Sequence, residues 1–168
     1  KDVYVEKPIA NTIADGVAMT QAAKAAGRIL MLGHNTRRKR APRLARKLMT
    51  EGRIGKILGV EAHYSHSGGL KLPEDSWRAD PDRAPGLPLV QLGIHAIDVV
   101  NMLLGDPEVV ASLHRRAVLS RNIDCTSTII GYGGHLTATM VSHYVTPLQV
   151  WFRVSGTEGN IEARDYYR

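Results

Sequence analysis

The spacing of apolar and polar positions changes period partway along the chain. Residues 2–5 (Asp-Val-Tyr-Val) are a β-branched and aromatic run that reads as a buried strand. The chain enters it directly from Lys1, which suggests a piece of a longer protein. Asn11 or Thr12 can cap a following helix that gathers Ala14, Val17, Ala18, Ala22 and Ala25 and stops at Gly27. Residues 28–33 then give an apolar strand. Strand, helix and buried strand in this order predict a right-handed βαβ crossover with parallel strands. A second helix over 40–51 places Ala41, Leu44, Ala45, Leu48 and Met49 at helical spacing, with Arg43, Arg46 and Lys47 opposite.

From about Lys56 the period shortens to two. Residues 57–65 read as a strand, and 67–88 as a polar loop rich in Gly, Pro and Asp. A long helix follows over 90–104, ending at Gly105. Alternating stretches then appear at 109–119, 126–132, 136–145, 148–155 and 161–164, with hairpin turns at residues 131–134 and 156–159. The second part is therefore an α+β domain with a large, mainly antiparallel sheet. Along its strands Leu136, Ala138, Met140, Tyr144, Leu148, Val150, Phe152 and Val154 share the core parity. The opposite parity shows Thr137, Thr139, Val141, His143, Gln149, Trp151 and Arg153, too apolar for a plain solvent face. A homo-oligomer through this open, helix-free face is expected, with Trp151 as an anchor.

Composition narrows the function classes. No apolar run approaches the length needed to span a bilayer, and no leader pattern is present, so a soluble, cytoplasmic protein is expected. The lone Cys125 excludes an internal disulfide and a thiolate cluster for zinc, and no metal is expected. The net charge of +6 is local: Arg37, Arg38, Lys39, Arg40, Arg43, Arg46 and Lys47 leave 15 of the 22 basic residues against 16 acids elsewhere. A solvated basic face on an amphipathic helix explains most of that run. A polyanion- or nucleic-acid-binding module using residues 37–47 is one alternative function, although the face lacks interleaved aromatics and nucleic acid is not the expected partner.

Two constellations carry possible chemistry. Glu6-Lys7-Pro8 lies at the carboxyl end of the first strand and ahead of a helix, the edge where open parallel sheets bind ligands. Burial and the helix dipole would both lower the pKa of Lys7 and make it a usable proton-transfer group. Gln91, His95 and Asp98 follow at spacings of four and three, one stripe of the long helix, where His95 can hold a hydroxyl or move a proton. His63 and His66 are three apart on a strand and point to opposite faces. Gly131, Gly133 and Gly134 do not complete a dinucleotide-binding G-x-G-x-x-G.

The motif order, residues 1–8 (KDVYVEKP), 33–38 (GHNTRR), 51–56 (EGRIGK), Trp77-Arg78 and 91–98 (QLGIHAID), resembles the glucose-fructose oxidoreductase and inositol dehydrogenase family (Gfo/Idh/MocA) along nearly the whole chain. The resemblance implies a Rossmann remnant over 1–36 and an α+β substrate-binding and oligomerisation domain over 37–168, truncated at its C-terminus. It implies NAD or NADP as cofactor and a sugar, inositol or related polyol as small-molecule substrate. Lys7 becomes the catalytic lysine, and His95 the second catalytic residue and a substrate contact. Glu6, Pro8, Trp77 and Arg78 join Lys7 at the cofactor, while Asn35, Arg38 and Gln91 line the substrate cleft. Gln91 stands where many members carry an aspartate, and a carboxamide cannot take a proton, so Lys7 and His95 carry the acid-base work. Without the glycine-rich turn the piece alone is expected to be inactive. A non-catalytic assembly module is the remaining alternative.

Overall fold

The computed structural model describes residues 1–166. Strand β1 (Val3–Val5), helix α1 (Ile13–Ala25) and strand β2 (Leu30–Leu32) form the predicted βαβ unit, with β1 and β2 parallel and Val3 opposite Leu30. Thr12 is the N-cap of α1: its hydroxyl accepts from the Asp15 amide at 3.1 Å and donates to the Asp15 carboxylate at 2.7 Å. Gly27, at φ +60°, ends the helix in the left-handed region. The expected burial of the first strand does not hold. Tyr4 is 59% exposed, and α1 has no buried residue, because β1 has a single strand neighbour among the described residues.

The second part is built on a six-stranded sheet. A 3-10 turn (Thr36–Arg38) leads into α2 (Arg40–Thr50), then β3 (Ile57–Ser65). A loop to Pro88 follows, then a π-turn (Leu89–Gly93) continuous with α3 (Ile94–Leu104). Strands β4 (Pro107–Arg115), β5 (Cys125–Tyr132), β6 (Thr137–His143), β7 (Gln149–Gly156) and β8 (Asn160–Arg164) complete it. The strand order is β4-β5-β6-β3-β7-β8, with β3 and β6 parallel and the other four pairings antiparallel. β3 thus enters between two later hairpins and carries its side chains to the middle of the sheet.

The core lies between α3 and one sheet face, where Phe152, Val154, Met140, Val99 and Val100 are fully buried. The alternation predicted for β6 and β7 is observed, with one correction. Leu148 is half exposed because β7 begins only at Gln149 and Leu148 stays in the preceding turn. The strand expected to run to Leu119 stops at Arg115, since the Asp124 carboxylate collects the amides of Ala117, Val118 and Leu119 at 2.6–2.8 Å. No helix among the described residues is long and apolar enough to cross a membrane.

Candidate active site

Lys7 leaves β1 in the turn before α1, joined to Pro8 by a cis peptide bond. Its ammonium reaches across to the start of the long helix and donates to the main-chain carbonyl of Gln91 at 2.7 Å. Burial lowers its pKa, the guanidinium of Arg78 lowers it further, and Glu6 partly opposes both. The sequence suggested burial; the contribution of Arg78 emerges only in three dimensions. Glu6 is exposed, with a carboxylate oxygen against Gly33, where a Cβ would also meet the Tyr4 hydroxyl at 2.7 Å.

Gln91 corrects the expected stripe. It sits inside the π-turn, whose defining bond runs from the Ile94 amide to the Leu89 carbonyl, so it falls outside the α-helical register of His95 and Asp98. It meets Lys7 through its backbone carbonyl. π-turns interrupting helices recur at functional sites because they re-aim the flanking groups.

His95 and Asp98 are held by two consecutive residues of the Thr36–Arg38 turn. The Thr36 hydroxyl lies 3.3 Å from His95 Nδ1, and Thr36 is completely buried. Arg37 Nε donates to Asp98 Oδ2 at 2.7 Å, while its Nη2 donates to Asp98 Oδ1 and, at 3.3 Å, to the Asp98 carbonyl. This bidentate pair removes Arg37 from the basic face in which the sequence placed it. The His95 ring stacks on Tyr64 of β3, with centroids 5.4 Å apart and planes 29° apart. Burial, then the charges of Lys7 and His34, push its pKa down to about 4 against the opposing pull of Asp98. His95 is therefore a neutral imidazole at pH 7.

His34 and Thr36 belong to the site and were missed as site residues by sequence reasoning, although both lie within the 33–38 motif. His34 Nδ1 is 3.9 Å from Asp98 Oδ1. Burial lowers its pKa, Asp98 raises it, and Arg37 and Lys7 lower it again. It also lines a groove of about 630 Å³ with Pro8, Ile9, Leu32, Val90 and Ile94.

Asn35 is exposed and its amide oxygen accepts from the Thr36 hydroxyl at 3.2 Å. Trp77 and Arg78 form a cation–π pair, the guanidinium carbon 4.3 Å from the ring centroid. Their loop is tied down by buried Asn122, whose amide donates to the carbonyls of Arg78 at 3.0 Å and Ala84 at 2.9 Å. Arg38 lies elsewhere: it lines a surface depression with Arg40, Arg43, Leu44 and Lys47. His63 and His66 part as expected, His63 against His143 and Trp151 on the open face and His66 against Tyr144.

A half-buried lysine of lowered pKa and a buried neutral histidine are thus brought into one region beside the π-turn, and comparison with known proteins supplies the family. Residues 43–162 match the GFO/IDH/MocA C-terminal domain, and the chain belongs to that family. The 1,5-anhydro-D-fructose reductase of Ensifer adhaerens is 29% identical over 169 residues, covering 98% of this chain and 50% of the reductase. Among solved structures, the aldose-aldose oxidoreductase of Caulobacter crescentus, complexed with glycerol, superposes over all of this chain and 50% of its own, with TM-score 0.90 and 29% identity. Levoglucosan dehydrogenase in complex with NADH and levoglucosan gives TM-score 0.85 at 26% identity, over 98% of this chain and 48% of its own. The chain thus spans about half the length of the relatives it matches.

Proposed function

We propose that this chain supplies the acid-base half of a nicotinamide-dependent oxidoreductase acting on hydroxyl or carbonyl groups of a sugar or polyol. One observation carries the reading: a half-buried lysine is bonded to the Gln91 carbonyl in the π-turn that begins the long helix, close enough to a buried neutral histidine for its charge to lower that histidine's pKa. Oxidising an alcohol requires a group that takes the hydroxyl proton, and lowering the pKa of a lysine makes its amine more available for that role. Lys7 takes that proton on Nζ, or returns it in reduction, and His95 holds the substrate hydroxyl beside it. The backbone carbonyl of Gln91 orients the ammonium. The Gln91 carboxamide has no part in proton transfer.

The donor set fits a nicotinamide: a titratable amine beside an uncharged ring, with a tryptophan–arginine pair next to them. When bound, that cofactor supplies the hydride acceptor or donor. Glu6, Lys7, Pro8, Trp77 and Arg78 would hold its nicotinamide end, and NAD and NADP are both represented among the relatives: the levoglucosan dehydrogenase structure contains NADH, and a D-xylose 1-dehydrogenase of Haloferax volcanii is named for NADP. Residues 1–36 are read as the last part of the dinucleotide-binding domain and 37–168 as the substrate-binding and oligomerisation domain. Asn35 edges the substrate cleft through its contact with Thr36; Arg38, on the α2 depression, is a weaker candidate for it. A second copy of the chain is the expected partner of the open sheet face.

The test is an assay of the complete protein with NAD and with NADP against a panel of aldoses, inositols and anhydrosugars. Reduction of one cofactor that depends on an added polyol is expected. No turnover of either cofactor with any hydroxyl or carbonyl compound would contradict the reading.

A further inference from the structure

The two clasps that hold the start of α3 differ in kind. Arg37 and Asp98 form a charged pair that fixes the helix against the Thr36–Arg38 turn. Thr36, one residue earlier, makes a neutral contact to His95 that has a direction. A threonine hydroxyl has one proton to give and lone pairs to receive. The Asn35 side-chain oxygen, 3.2 Å away, can only accept, so the Thr36 hydroxyl is the donor of that contact. The Thr36 oxygen therefore faces His95 Nδ1, at 3.3 Å, as an acceptor. A neutral imidazole has one N–H, and the ring nitrogen that carries it is set by the partner of the other.

We infer that Thr36 is a positioning residue that fixes His95 as the Nδ1–H tautomer and leaves Nε2 an unprotonated acceptor. The inference rests on the reading above for its catalytic meaning, though the tautomer itself does not depend on it. The surroundings reinforce the assignment. Thr36 is completely buried, so no water competes for its hydroxyl, and the adjacent Arg37–Asp98 clasp keeps the turn and the helix in register. The stack on Tyr64 limits rotation of the ring, so the bond at Nδ1 also orients Nε2. Nearby Lys7 is cationic when protonated and opposes a second proton on the ring.

The consequence is a division of labour. An Nε2 acceptor receives a hydrogen bond from a substrate hydroxyl and has none to give to a carbonyl oxygen. In reduction, Lys7 is then the sole side chain of the pair that donates a proton to that oxygen. His95 recognises the hydroxyl-bearing form of the substrate in preference to the carbonyl form.

The test is long-range ¹H–¹⁵N correlation spectroscopy of the histidine side chains at pH 7, with His95 assigned by its loss in His95→Gln. The expected result is a protonated Nδ1 and a pyridine-type Nε2. Thr36→Ser should keep that pattern, because the hydroxyl is retained, and Thr36→Val should move the pyridine-type signal to Nδ1 or produce a mixture. A wild-type spectrum with the proton on Nε2 overturns the inference, and so does a folded Thr36→Val protein whose tautomer is unchanged. If Thr36→Val fails to fold, the wild-type spectrum alone decides. These outcomes are independent of turnover, so failure of the tautomer assignment is distinct from failure of the oxidoreductase reading.

Discussion

At His95 a stability effect follows directly from burial. An unfolded histidine titrates near 6.5, whereas in the fold His95 binds its proton only near pH 4. Between those values the unfolded chain binds more protons than the folded one, so stability falls as pH drops from about 6.5 towards 4, by at most about 3 kcal/mol from this group. His34, His63 and His66 shift in the same direction, so the total pH dependence is shared. Denaturation of the parent and of His95→Asn across this range isolates the contribution of His95. A shallower pH dependence is expected for the variant; an identical one would show that the imidazole is not held neutral by the fold. The Asp98 clasp gives a second prediction. Arg37→Met leaves a buried carboxylate without its cation and should cost about 3 kcal/mol in urea denaturation, the low end for such pairs because the Arg37 side chain is 41% exposed. A loss below about 0.5 kcal/mol would place the pair with ordinary surface ion pairs. Lys7 and His95 were legible from motif order, and Asp98 from helical spacing. Thr36 was not, since a lone threonine in a basic run has no pattern. The pairing of Arg37 with Asp98 also escaped, because charge counting assigns every arginine of a run to the same face.

The elements were read largely from periodicity, and the departures have local causes. A helical pattern over 90–104 cannot reveal that its first turn is π, because the apolar spacing of so short a stretch fits both. The parallel pairing of β3 with β6 was invisible for a different reason: alternation shows that a segment is a strand and not which neighbour it chooses. The premature end of β4 traces to Asp124. Burial raises the pKa of this carboxyl, but its hydrogen bonds from Leu119, Ala117 and Val118 outweigh that and hold it below the usual range. Asp124→Asn replaces one acceptor oxygen by an amide that faces N–H donors, and a loss of about 2 kcal/mol is expected by thermal or urea denaturation. Unchanged stability would mean that the turn before β5 does not depend on the charge.

For the molecule as a whole, the open sheet face and the proposed cofactor site lead to separate expectations. On the open face Trp151 lies beside His63, with ring centroids 5.8 Å apart, and Arg153 is paired with Glu61 at 3.7 Å and Glu162 at 3.0 Å. Exposed Leu113 and Ile129 extend the apolar part across β4 and β5. Such a mixture of apolar surface and charges of both signs suits a self-complementary contact, which for a specific dimer buries roughly 800 Å² per partner. Light scattering should give a dimer for the parent and a monomer for Trp151→Glu, whereas a monomeric parent or a fully dimeric variant would refute this. The rival polyanion reading keeps Arg38, Arg40, Arg43 and Lys47 on one depression but loses Arg37 to Asp98. Calorimetry of the chain alone should show NAD and NADP binding weaker than about micromolar, because the 168 residues contain no G-x-G-x-x-G turn to receive a pyrophosphate. The central claim, that Lys7 moves the substrate proton, is tested most directly by steady-state turnover of the complete protein and its Lys7→Met variant on a polyol that the parent oxidises. A fall of about 10²-fold or more in kcat, with cofactor affinity retained, is the predicted result; turnover within a fewfold of the parent would contradict it.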